Sequence, residues 1–95
     1  MTADQAVSQA TAEQVQEALG RFLEERVKTT VAVDQDLFRS GLVSSMFAME
    51  LVVHLEEQYD IAIVGPDLKL DSFRTIEAMT ALVLRLSAAK EDAGV

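Results

Sequence analysis

Apolar residues recur along this chain at helical spacing in three blocks, and no two segments alternate as a convincing pair of strands. Thr11 offers a helix N-cap, with Gln14 three positions on as its capping-box partner. Val15, Ala18, Leu19, Phe22 and Val27 mark one face, which predicts a first helix over about 12–27. Ser44 is a natural N-cap for a second helix from Ser45 to Tyr59. A last helix starts near Thr75, with Ile76, Met79, Leu82, Val83 and Leu86 as its buried stripe. Before it, Gly65-Pro66 breaks the chain, and Pro66 can open a short helical turn around Asp67–Leu70. The pattern predicts an all-α bundle of three long helices plus a short one.

Lys28 to Ser44 follows neither period, although Val31 and Val33 alternate. A connection longer than roughly 12–15 residues is expected to be functional or pinned. Leu37, Phe38, Leu42 and Val43 are the candidate apolar anchors, and Gly41 can supply a positive φ. Residues 1–10 and 90–95 are expected to be flexible ends, leaving one domain over 11–89.

On the second helix, advancing 100° per residue from Ser45 places Ala48, Leu51, Val52, Leu55 and Tyr59 at about 240–340°, a sufficient core stripe. Met46, Met49 and Val53 fall at about 40–100°, off that stripe, so the apolar arc is about twice the width a surface helix needs. Glu56 sits with Ser45 where the two groups meet, and Glu50 and Glu57 border the extra wing. Either the helix is more buried than average, or an apolar strip framed by carboxylates faces solvent beside Ser45 and forms a docking surface.

Composition leaves two readings of the charge, a solvated acidic face that aids solubility or the frame of a docking surface. The 95 residues carry a net charge of −8, which disfavours nucleic acid and anionic membranes and favours basic partner surfaces. From Ser40 to Leu68 there is no Lys or Arg, while Glu50, Glu56, Glu57, Asp60 and Asp67 all lie in that window. No apolar run approaches the roughly 20 residues of a membrane span. The first ten residues lack the features of a signal peptide, so a cytoplasmic protein is expected. The absence of cysteine excludes disulfides, thiolate metal sites and cysteine nucleophiles.

An enzyme is not expected. His54, the single histidine, lies nine residues from Ser45, roughly 13 Å along the same helix, and cannot be its base. An exposed position is expected for it. Asp34 and Asp36 do not continue into a calcium loop and read as turn formers, so no metal site is expected. Ser45, at a helix start without a base, instead suits modification by another protein, and a helix N-terminus favours a phosphate. A rival from another class is an unmodified acidic adaptor that binds a partner through its second helix.

The stretches "DQDLFRSGLVSSMFAMELVVHLEEQYDIAI" and "DSFRTIEAMTALVLRL" resemble the acyl carrier protein family, with a correspondence from about Gln14 to Leu86. Ser45 falls on the modified serine of the family's Asp-Ser-Leu motif, Met46 on its leucine, and Glu56-Glu57 before Tyr59 on the acidic helix end. Ser44 stands where the family usually has Asp, which removes a charge that helps engage the transferase. The resemblance implies a four-helix bundle whose Ser45 receives 4′-phosphopantetheine from coenzyme A by a phosphopantetheinyl transferase. The protein then serves acyl-loading and acyl-modifying enzymes or synthase modules as a monomeric, stand-alone carrier. Discrete carriers for unusual polyketide extender units and D-alanyl carrier proteins are both similar. Met46, Met49, Glu50, Val53, Glu56 and Glu57 are the expected partner-binding residues.

Overall fold

The computed structural model describes residues 11–93, with side chains through residue 89; the expected flexible segment 1–10 and the last two residues lie outside this range. Among the described residues the fold is all-helical, with α1 (Ala12–Val27), α2 (Ser45–Tyr59) and α3 (Ile76–Ala93). In place of one short helical turn around Asp67–Leu70 there are two 3-10 stretches, Gly65–Asp67 and Leu70–Phe73. Pro66 sits in the first of them, and a positive φ of 62° at Gly65 reverses the chain just before it. α3 continues to Ala93, through the first part of the segment expected to be flexible.

Local chemistry sets the helix starts. Thr11 and Gln14 form a reciprocal capping box at α1, each side chain bonding the other's backbone N–H at 3.1 Å. Ser44 caps α2 by accepting the Phe47 N–H at 3.2 Å. Thr75 Oγ1 accepts the Ala78 N–H at the head of α3.

α1 packs mainly against α3 and buries Val15, Leu19 and Leu23. The buried stripe is rotated from the expected one: Ala18 is exposed, Leu23 is fully buried, and Phe22 is half-buried at the boundary with α2. Ala48, Leu51, Val52 and Leu55 are buried on α2, as are Ile76, Met79, Leu82 and Val83 on α3, while Tyr59 and Leu86 are only partly buried. The one buried polar residue among those described, Thr80, donates its hydroxyl to the Ile76 carbonyl at 2.8 Å. No described helix is long and apolar enough to cross a membrane.

The long connection between α1 and α2 is pinned at both its apolar and polar groups. Leu37 and Val43 are core residues, and Phe38 and Leu42 pack against the core. The Leu37 N–H donates to the Arg74 carbonyl at 2.8 Å, and the Glu77 N–H donates to the Val33 carbonyl at 3.0 Å, tying the loop to the head of α3. Asp36 is a turn former: its Oδ1 accepts the N–H groups of Phe38 and Arg39, and its Oδ2 accepts from the Arg74 guanidinium at 3.2 Å. The Arg39 N–H above all, with Arg74 and the Phe38 N–H, holds the Asp36 carboxyl below its ordinary range, against a partial burial that acts the other way.

Candidate functional site

The loop delivers α2 with its first turn open to solvent. Gly41, at φ 81°, turns the chain, Val43 drops into the core, and Ser44 follows in extended conformation as the cap. The Ser44 side chain is thereby committed to the Phe47 N–H. Ser45, one residue on, is exposed, and its hydroxyl makes no hydrogen bond among the described residues. The two adjacent hydroxyls therefore have different surroundings: one closes the helix, the other is free.

Beyond Ser45, the extra apolar wing faces water. Met46 is 82% exposed, Met49 59% and Val53 50%, whereas Leu51 and Leu55 on the other face are fully buried. The strip is a solvent-facing apolar surface and not an extension of the core.

The three carboxylates expected to frame this strip differ from one another. Glu57 is exposed. Glu50 pairs with Arg26 of α1 at 2.7 Å, so its charge is already opposed within the molecule. Glu56 is half-buried, and its Oε2 accepts the N–H of the buried Ile63 at 2.8 Å. That bond fastens the segment leaving α2 back onto the helix, a structural task the residue pattern did not indicate.

His54 departs from the exposed position expected of it. Its ring stacks on Phe22, with centroids 3.9 Å apart and planes 10° from parallel, and Phe22 in turn stacks on Phe47 at 6.1 Å. Arg26 lies over both phenyl rings, 4.9 Å and 5.4 Å from their centroids. Burial under Phe22, and then the nearby Arg26 charge, lower the His54 pKa from its ordinary value, and Glu57 opposes the shift. The cluster walls an open concavity of about 460 Å³ whose other side is Met49, Val53 and Glu57. It lies on the α1 side of α2, and none of its lining residues is Ser45.

Ser45 opens on a different groove, of about 320 Å³. Ala48, Met49 and Val52 continue its α2 wall. The facing wall comes from the 3-10 region: Leu68, Lys69, Leu70 and Phe73. This wall depends on where the 3-10 stretches pack, which the residue pattern does not show. Phe73, almost fully buried, anchors it. Among the described residues no cluster of His, Cys, Asp and Glu could hold a metal.

A free hydroxyl on an exposed helix start, with a largely apolar groove beside it, suits covalent attachment of a long flexible group. The model of a known family, the phosphopantetheine attachment site, matches residues 13–83. The chain belongs to that family. It is 37% identical over 54 residues to the D-alanyl carrier protein of Streptococcus mutans serotype c (strain ATCC 700610 / UA159), a match that spans 53% of this chain and 68% of that protein. The protein is thus a carrier of the acyl carrier type, acted on by enzymes and not one itself, with 4′-phosphopantetheine as its covalent cofactor. Carriers of this family meet a phosphopantetheinyl transferase and the enzymes that handle their acyl groups.

Proposed function

We propose that Ser45 is the attachment residue, and that the protein presents acyl thioesters to enzymes of polyketide or related secondary metabolism, including those that form extender units. The contrast between the two serines carries the attachment assignment. Ser44 Oγ is occupied as an N-cap acceptor, while Ser45 Oγ is exposed and unengaged at the mouth of a groove. When bound, the cofactor supplies a terminal thiol that holds an acyl group as a thioester.

The protein's own residues have three tasks in this reading. Ser44 keeps the first turn of α2 formed, so that Ser45 is presented at a fixed place. Met46, Met49 and Val53 offer the apolar contact that a partner covers to bring its active site over Ser45. Glu50, Glu56 and Glu57 lend this side of the molecule its sign and draw basic partner surfaces to it. In this reading the domain spans about 11–89, and Leu70–Phe73 takes the place of the short helix in a four-helix carrier bundle.

A second reading, a D-alanyl carrier, is favoured by the identity to the streptococcal protein. The attachment assignment is tested by intact mass after incubation with coenzyme A and a promiscuous phosphopantetheinyl transferase. The wild-type chain and Ser44→Ala should each gain one phosphopantetheine, and Ser45→Ala should gain none. A gain that persists in Ser45→Ala overturns the assignment.

A further inference from the structure

The groove beside Ser45 carries one charged side chain, that of Lys69. It is also the single Lys or Arg between Arg39 and Arg74, a stretch that includes all of α2 and its acidic residues. Its two nearest carboxylates in the chain are already engaged, Asp67 by Arg85 and Asp71 by Arg74. Among the described residues the Lys69 ammonium forms no ion pair. It is exposed, and it springs from a segment held in place by the buried Phe73 and by the bond from its own N–H to the Asp67 carbonyl.

A second observation comes from the opposite side of the groove. Neither Ser44 nor any residue of the first turn of α2 is acidic, so no carboxylate stands next to Ser45 to oppose an anion there. In a molecule of net charge −8, this groove offers an anion a cation that no carboxylate pairs among the described residues. Its other walls are mainly apolar, so a charge contact against them is screened less than in open solvent.

We propose that Lys69 is the anion-recognising residue of this groove. Its ammonium receives an anionic oxygen brought there from Ser45, either a phosphodiester oxygen of the arm or a carboxylate on the acyl cargo. Where that oxygen belongs to the cargo, a cargo ending in a carboxylate is favoured over a neutral one of equal length, and a cargo carrying an ammonium is repelled. This deepens the reading of Ser45 as the attachment residue and rests on it. In the cargo-carboxylate case it also separates the two carrier readings by charge, since a D-alanyl group bears an ammonium.

The test uses apo protein charged by a promiscuous transferase with coenzyme A, propionyl-CoA, malonyl-CoA or glycyl-CoA, in wild type and in Lys69→Met, which keeps an apolar stem. Intact mass and Ser45→Ala report first on the underlying reading. If no Ser45-dependent gain occurs, that reading and this inference fall together. With loading established, thermal midpoints and thioester hydrolysis half-lives at low salt decide the inference itself. If the partner is the phosphodiester, Lys69→Met removes part of the difference in midpoint between apo and holo forms, equally for every cargo. If the partner is a cargo carboxylate, the malonyl thioester should outlive the propionyl one by about two- to fivefold in wild type, an advantage that Lys69→Met loses. Midpoints and half-lives that are the same in wild type and Lys69→Met for all four forms overturn the proposal.

Discussion

Ser44 and Ser45 are the same residue one step apart, and their environments separate them. Ser44 sits in extended backbone with its Oγ turned to the Phe47 N–H, and Ser45 already lies in the helix with its Oγ in solvent. Ser44→Ala should therefore destabilise the protein by about 0.5–2 kcal/mol in chemical denaturation, while Ser45→Ala should leave stability nearly unchanged. His54 is the other residue whose surroundings set its behaviour. Its stack on Phe22 and the Arg26 charge lower its pKa beneath the ordinary 6.5, so the folded state resists a proton that the unfolded chain accepts. Its contribution to stability is complete above 6.5 and is lost as pH falls from there through the lowered folded-state value. An NMR titration of this single histidine should give a midpoint below 6.5, and His54→Gln should flatten the stability profile in that range. A midpoint at or above 6.5 would contradict the stack.

At the scale of the elements, α2 divides its apolar residues between a buried stripe and a wet one. Leu55→Ala, at a site with no exposure, should cost about 2–5 kcal/mol and leave loading normal at temperatures where the protein stays folded. Met49→Ala, at 59% exposure, should cost well under that range and slow loading instead. Leu55→Ala should shift the melting curve and leave the loading rate, and Met49→Ala should do the reverse. Equal melting losses would mean that the strip is core. The carboxylates divide in the same way. Glu56→Ala strands the buried Ile63 N–H and should lose about 1–3 kcal/mol, while Glu57→Ala should not lower the melting temperature measurably.

The boundaries of α1 and α2 were legible in the sequence because caps are local: Thr11 with Gln14, and Ser44, declare themselves within one turn. The spacing also placed Met49 off the stripe that carries Leu55, and Ser45 at the junction of the two apolar groups. What stayed hidden depends on packing between distant segments. Glu56 reaches Ile63, Arg26 reaches Glu50, and Lys69 comes to face α2 through the fold of the 3-10 region. The swap of Ala18 for Leu23 on the α1 core face has the same origin, because the choice follows from where α3 lies. The sequence expects His54 to be exposed because nothing in its own helix shows that Phe22 covers it.

For the whole molecule, charge and attachment site act together. The net charge of −8, with no Lys or Arg between Ser40 and Leu68, makes the α2 side a target for basic surfaces. Glu50→Lys and Glu57→Lys should slow association with the transferase at low ionic strength, and the difference should shrink once salt brings the Debye length to a few ångströms. For Glu50 a partner must also compete with Arg26, so Arg26→Ala should speed that association. If both reversals leave the on-rate unchanged, the acidic face is only a solvated surface. All of this presupposes one bond, between a single hydroxyl and the cofactor. Trypsin releases that region between Arg39 and Lys69, a peptide whose serines are Ser40, Ser44 and Ser45. Fragmentation of this peptide from the holo protein should place the entire phosphopantetheine mass on Ser45, and finding it on Ser44 or Ser40 would contradict the account.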